Sequence, residues 1–393
     1  MSRMIETRKL SSIIILLTIS FLLALTHYRQ FIETVVVDGN RHGPSALKNQ
    51  SHEEDLIDGY NTKDCGISDP DSEDPGFVNQ AREGQFPWLV SFQVTGMGKS
   101  RPMHFCMGSL ISDKWILSAA HCFAPDQFKD MLDRGSVIVT GGSTNAFSEK
   151  NAKFEIKRIF YHSQYDHKAP IGFDISLIEL KDKAKFKSKY DGELPYLNSV
   201  CLPKQGKEFT KGQAVKIAGW GDTESKDPNS KPDRLLTTDL LITDAEECAK
   251  IFAKNMKKVK EQFLKFKDFL CASYKASRDA CQGDSGGSML EYADGRAVAV
   301  GIVSYGKGCA TTGTPGVYER VSSLMPWIKD ITQNKDNATV YYTVLERGKN
   351  TINKNKETKG DKSKGDGVAK GEKGKKDNDK KSEGKSKDDK KKG

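Results

Sequence analysis

Nowhere does the sequence carry a Cys-x-x-Cys pair, or cysteines and histidines clustered at zinc-binding spacing, which speaks against a bound metal. It also lacks a hydrophobic run of full membrane-spanning length. The apolar stretch Ile13–Leu25, interrupted by Thr18 and Ser20, falls short of the about 20 residues a span needs. Arg3, Arg8 and Lys9 precede it, so residues 1–26 read as a secretory signal peptide, with an uncleaved signal anchor as the alternative. The body of the chain has little excess charge of either sign. Residues 334–393 hold 19 basic and 11 acidic residues, so +8 of the chain's net +9 belongs there. That Lys/Gly/Asp/Ser repetition cannot bury enough apolar surface to fold, and it reads as a disordered tail. Its charge suits contact with a polyanion such as acidic glycans or anionic lipid. Nucleic acid is not an expected partner for a secreted chain. A membrane is one only if the leader stays attached.

What is present is concentrated in one stretch, Gly283-Asp284-Ser285-Gly286-Gly287. Glycine has no Cβ, so another backbone can approach the serine hydroxyl closely. Taken alone, this is ordinary turn composition. Upstream, however, the apolar run Trp115–Ala120 ends in His121-Cys122, and Asp174 heads the apolar run Ile175–Leu180. A serine hydroxyl needs a base to become a nucleophile, an imidazole titrates in the right range, and a carboxylate fixes the imidazole's tautomer. Singly, each residue has a bland explanation as a packed histidine, a turn acceptor or a loop serine. The order His, Asp, Ser makes the three hard to explain apart.

Short apolar runs broken by turn clusters point to an all-β fold. The clearest strands are Phe86–Val94, Ser109–Ser112, Trp115–Ala119, Val137–Thr140, Phe154–Phe160, Ile175–Leu180, Ala214–Ala218 and Ala297–Ser304, with Ser112-Asp113-Lys114 as a hairpin turn. Thr243–Phe266 reads as a helix capped by Thr243 or Asp244, with Glu246 and Glu247 near its positive end. A second helix is expected over Pro326–Thr332. Residues 27–74 are polar and acidic and form a largely unstructured pro-segment with no core of its own. Eight cysteines behind a hydrophobic leader suggest paired thiols in an oxidising compartment, although spacing alone leaves the pairing open. Asn49 and Asn337 lie in glycosylation sequons.

Between about Gln85 and Ile331 the chain resembles the trypsin/chymotrypsin family of serine proteases. The three segments above carry the likeness, together with Phe86-Pro87-Trp88, His104-Phe105-Cys106, Val200-Cys201-Leu202-Pro203, Ala218-Gly219-Trp220-Gly221 and Pro315-Gly316-Val317-Tyr318. In overall organisation it is also similar to extracellular cascade proteases of invertebrates. The resemblance implies two six-stranded antiparallel barrels with an active-site cleft between them, a C-terminal helix, and a protease domain over residues 75–333. It implies Ser285 as nucleophile, His121 as base and then acid, Asp174 as orienting carboxylate, and the N–H groups of Gly283 and Ser285 as oxyanion hole. Ser304 would pair with the substrate backbone. Asp279 would floor the specificity pocket, and Gly306 and Gly316 would form its small walls, so that cleavage follows Arg or Lys. It further implies the disulfides Cys106–Cys122, Cys281–Cys309, Cys248–Cys271 and Cys65–Cys201, the last tethering the pro-segment. No cofactor is called for. The partners are protein substrates and protease inhibitors, and the location is extracellular.

Three departures stand out. Family members are activated by a cut after Arg or Lys, which frees an Ile-Val-Gly-Gly-like terminus whose ammonium pairs with the aspartate before the serine. Here Pro75-Gly76-Phe77-Val78 follows Glu73-Asp74, and the nearest basic residues are Lys63 and Arg82. Without that ammonium Asp284 is expected to stay solvated, with the Gly283 N–H turned away and the hole unformed. Secondly, Met107 replaces a usual glycine after Cys106 and is expected to crowd the serine loop unless it turns outward. Finally, no acidic cluster resembling the family's calcium loop lies between Thr140 and Ile156. A non-catalytic, binding or regulatory homologue is therefore the alternative to an endopeptidase.

Overall fold

Turn chemistry and apolar alternation divide the chain into two antiparallel sheets. The computed structural model describes residues 61–69, 79–95, 101–123, 128, 137–167, 172–224, 227, 230–255, 268–274, 279–306, 308–309, 311, 313–334 and 342–346. The expected signal peptide, most of the expected pro-segment, the sequons at Asn49 and Asn337 and the Lys-rich repetition lie outside these residues.

The strands before the cleft are β1 (Asn79–Gln80), β2 (Leu89–Val94), β3 (Met103–Leu110), β4 (Trp115–Ser118), β5 (Val137–Gly141), β6 (Ala152–Phe154), β7 (Ile156–His162) and β8 (Ser176–Leu180). Those that follow are β9 (Ala214–Gly219), β10 (Leu236–Ile242), β11 (Phe269–Ser273), β12 (Ser288–Ala293), β13 (Arg296–Tyr305), β14 (Gly316–Arg320) and β15 (Tyr342–Glu346). The first sheet runs β15-β7-β8-β4-β3-β2-β5-β6 and forms a half-barrel. In the second, β9 through β14 close on themselves through the β9–β10 pairing, with β1 added beside β10. The all-β expectation therefore holds, with one barrel closed and the other open.

β2, β4 and β8 are buried along their whole lengths, because they pack on both faces. Trp88, Phe92, Leu117 and Ile178 fill the core beneath them. Leu240, Met289, Val300 and Tyr318 fill the closed barrel. The turn at Ser112 is held by its own hydroxyl, which accepts from the N–H groups of Lys114 and Trp115, each at 3.2 Å.

Two helices are described. α1 (Ala245–Asn255) starts where Asp244 Oδ1 accepts from the N–H of Glu247 at 2.8 Å, which selects Asp244 as the cap. The expected continuation to Phe266 lies outside the described residues. α2 (Val321–Asn334) begins five residues before the expected start at Pro326. Proline cannot donate to the carbonyl four residues back, which here belongs to Ser322. That carbonyl instead accepts from the N–H of Gly206 at 3.0 Å, so the helix passes through Pro326 with no orphaned acceptor.

All four disulfides expected from the resemblance are formed. Residues 61–69 are fastened by more than Cys65–Cys201. Gly66 exchanges main-chain hydrogen bonds with Ala297 and Ser199, and Asn198 Nδ2 donates to the carbonyls of Asp64 and Ile67. The expectation of a tail without structure from residue 334 is corrected at Tyr342–Glu346. These residues extend the first sheet by pairing antiparallel with His162–Arg158, because the outer edge of β7 offers unpaired backbone groups to a nearby extended segment.

Candidate active site

His121 opens a 3₁₀ turn, His121–Phe123, two residues beyond the end of β4 after Ala119 and Ala120. Asp174 is separated from the start of β8 only by Ile175, and β4 and β8 pair from Trp115–Glu179 to Ser118–Ser176. Two segments far apart in the chain thus end side by side. His121 Nδ1 lies 2.7 Å from Asp174 Oδ2, and the main-chain N–H of His121 donates to Asp174 Oδ1 at 2.8 Å. Asp174 is 1% exposed. Burial acts to raise its carboxyl, but the His121 charge, the His121 hydrogen bonds and the Ser304 hydroxyl outweigh it and hold the group below its usual range. Burial likewise disfavours the imidazolium of His121, and the adjacent Asp174 carboxylate more than compensates, raising it. The pair is built to carry a positive imidazole against a fixed negative charge.

Ser304 was expected along the cleft; its hydroxyl in addition donates to Asp174 Oδ2 at 2.6 Å. A further residue, invisible in the sequence reading, stands behind Asp174. Glu319 on β14 is 2% exposed and accepts from the N–H of Phe173 at 3.1 Å and of Asp174 at 3.2 Å. Phe173 has φ +57°, a conformation costly for a bulky residue, and Glu319 holds this strained corner in place. Burial and the Asp174 charge push the Glu319 carboxyl up to about 8. No local signal marks it, since its partners are about 145 positions away.

Ser285 is placed by main-chain contacts. Its carbonyl accepts from the N–H of Met107 at 2.8 Å and lies 3.6 Å from Cys122 Sγ, in the residue following His121. Gly286 N–H donates to Val303 at 2.9 Å, which ties the loop to β13. Cys106, His121 and Cys122 bring their nitrogen and sulfur atoms within 4.8 Å of one another. Both sulfurs are consumed in a disulfide, so this cluster offers no thiolate to a metal.

A cavity opens beside Ser285, lined among others by Asp279, Ser304, Gly306, Gly316 and Tyr318. Asp279 Oδ1 accepts from Tyr318 OH at 2.9 Å and from the N–H of Ala280 at 2.8 Å. Burial raises its carboxyl to about 6, against the pull of those donors. No lysine or arginine is among the described lining residues. A Cβ on Gly316 would lie 2.5 Å from Asp279 Oδ1, so a side chain there would cover the carboxylate. At Gly306 the nearest atom is the Gly308 carbonyl oxygen at 3.5 Å, an ordinary van der Waals contact for an added Cβ.

Asp284 corrects the expectation of a solvated carboxylate. Oδ1 accepts from the N–H of Gly221 and Oδ2 from that of Cys281, at 2.7 and 2.8 Å. Cβ atoms on Gly219 and Gly221 would fall 1.8 and 2.5 Å from this carboxylate, so both glycines are needed for it to seat. Burial raises the Asp284 carboxyl, partly offset by those two N–H groups and by Lys231. Among the described residues, neither the Gly283 nor the Ser285 N–H donates to a main-chain carbonyl. Met107 also departs from expectation. It points inward and is fully buried, with its sulfur 3.2 and 3.6 Å from where Cβ atoms of Gly219 and Gly287 would be. The missing side chains at those glycines make its room.

A family model described as Trypsin matches residues 77–328. The chain belongs to the trypsin/chymotrypsin family of serine proteases. Trypsin-family proteins are typically secreted, and its four disulfides are consistent with an extracellular protein. The trypsin-family match starts just before β1, after the Glu73-Asp74 stretch that lacks a basic cleavage residue.

Proposed function

We propose that the chain is a secreted serine endopeptidase that hydrolyses peptide bonds following Arg or Lys. The observation that carries this reading is the His121–Asp174 contact at 2.7 Å beside a cavity that holds both Ser285 and the half-buried carboxylate of Asp279. An unpaired buried carboxylate is costly, and an arginine or lysine side chain of the substrate supplies the missing cation.

In the reaction, Ser285 Oγ attacks the scissile carbonyl carbon while its proton passes to His121 Nε2. Asp174 holds Nδ1–H and favours the resulting imidazolium. The negative charge that develops on the carbonyl oxygen is met by the N–H groups of Gly283 and Ser285. When the tetrahedral intermediate collapses, the C–N bond breaks and the leaving amine takes the proton from His121. Water then enters, His121 accepts its proton, and the acyl–Ser285 ester is cleaved to a carboxylic acid with the Oγ proton restored. The test is hydrolysis of Arg and Lys esters by the secreted protein, with Ser285→Ala as control. Activity should fall by about 10⁶-fold in the variant. A wild-type rate equal to that of the control, under every activating treatment, would refute the reading.

The missing Ile-Val-Gly-Gly terminus favours a second reading, a homologue that binds partners in its cleft without cutting them. Covalent labelling of Ser285 by a fluorophosphonate separates the two, since only an activated hydroxyl reacts.

A further inference from the structure

The N–H of Gly283 belongs to the peptide joining it to Gln282, and in a trans peptide the C=O and N–H point in opposite directions. Whatever grips the Gln282 carbonyl therefore aims the Gly283 N–H. That carbonyl accepts from the main-chain N–H of Asp222 at 2.9 Å and from the ammonium of Lys231 at 2.6 Å. The same ammonium donates to Asp222 Oδ1 at 2.6 Å, and the Lys231 and Asp222 side chains are 22% and 6% exposed. Lys231 is thus anchored on two sides and mostly shielded from water, a setting in which a charge-assisted hydrogen bond is strong.

The next peptide is held as well. His104 Nε2 lies 2.9 Å from the Gly283 carbonyl. A carbonyl can only accept, so Nε2 carries the proton and Nδ1 accepts from Ser91 Oγ at 2.8 Å. Gln93 Nε2 donates to Ser91 Oγ in turn, at 3.0 Å. Gly283 itself has φ +110°, and a Cβ there would stand 3.0 Å from Lys231 Nζ and 3.3 Å from His104 Cδ2. Glycine permits both the conformation and the approach of the lysine.

We infer that Lys231 is a positioning residue for the oxyanion hole, a cation from within the uncut chain that orients the Gln282–Gly283 peptide without activation cleavage. The inference rests on the protease reading above and extends it, since it makes the intact chain competent before any cut. The Lys231 charge also acts on Asp284, where it favours the carboxylate that a freed terminus would otherwise neutralise.

The test uses the full secreted protein, with its terminus checked by amino-terminal sequencing, as wild type, Lys231→Met and Lys231→Arg. Three quantities are read: kcat and KM on an Arg ester, and the affinity for a small aryl amidinium, which needs Asp279 but not the hole. Lys231→Met should lower kcat by about 10–100-fold, part of the roughly 10²–10³ that loss of a whole donor costs. KM and amidinium affinity should stay within about twofold, and Lys231→Arg should restore most of kcat because its guanidinium can donate to the same carbonyl. An unchanged kcat in Lys231→Met overturns the inference, as does a parallel loss of amidinium binding, which signals general damage. An intact wild type that is inert until limited proteolysis overturns the role of Lys231 and leaves the protease reading standing. A wild type inert to substrate and fluorophosphonate both before and after proteolysis overturns both.

Discussion

At His121 the site is held by charged and hydroxyl side chains, whereas at Ser285 it is held almost wholly by backbone. The imidazole is turned by a buried carboxylate, which takes a hydroxyl from Ser304 and has its own N–H held by the second buried acid, Glu319. The serine loop depends instead on main-chain bonds to Met107 and Val303, and on glycines that leave space for the Asp284 carboxylate. One side should therefore respond to pH and the other to added volume. Lys231 and His104 are the exceptions on the serine side, two side chains that hold the carbonyls of Gln282 and Gly283.

The comparison is broken most severely by adding one methyl group on the serine side. Gly219→Ala places a Cβ 1.8 Å from Asp284 Oδ1, so the carboxylate must leave its seat and the loop with it. The expected outcome is a fall in kcat of about a thousandfold, the upper end for losing an oxyanion donor, while the His121–Asp174 pair stays intact. Hydrolysis assays with a thermal melt check this. A near-normal kcat would show that the loop does not need the seat.

The next effect comes from the floor of the cavity. With its carboxyl at about 6, Asp279 is mostly protonated at pH 5 and ionised at pH 7, so affinity for a cationic substrate should rise with pH across that interval. Asp279→Asn should lower kcat/KM on Arg esters about 100-fold and flatten this rise, consistent with about 2–5 kcal/mol for truncating one partner of a desolvated ion pair. A pH series of KM for both proteins is the measurement, and an unaltered slope in the variant would assign the titration elsewhere.

The smallest effect sharpens the charged side. Both oxygens of Glu319 accept from N–H groups, so Glu319→Gln sets an amide NH₂ against a donor and should cost about 1–3 kcal/mol of stability. The folded carboxyl, at about 8, lies above its ordinary 4.5. On raising pH the unfolded chain loses this proton first, so the group's contribution is complete below about 4.5 and is lost as pH approaches about 8. Denaturant midpoints at pH 5 and pH 8 should therefore converge in Glu319→Gln relative to wild type. Equal pH dependence in both would remove Glu319 from this account.

Much of the fold was legible because alternation and turn residues are local. β4, β8, β9 and β13 lie where apolar runs marked them, and Asp244 caps α1 as its side chain allows. β10 and β12 were not marked, because polar residues such as Thr238, Asp239 and Glu291 interrupt their apolar pattern. Pro326 misled for a definite reason. Its local rule is to begin a helix, and the rule was overridden by Gly206 satisfying the Ser322 carbonyl. His121, Asp174, Ser285 and Asp279 could be picked out by motif, whereas Glu319, His104 and Lys231 act through partners remote in the chain.

The sequence by itself determined which chemical groups are available: an imidazole, two carboxylates and an alcohol within recognisable segments, cysteines able to pair, and no basic residue at Glu73-Asp74. Only the tertiary structure decided direction. The Gln282–Gly283 peptide is gripped at its carbonyl by Lys231, 51 positions away, and the peptide after it by His104, 179 positions from Gly283. Peptide orientation is a matter of which partner reaches a carbonyl in space, and no pattern of neighbouring residues encodes that.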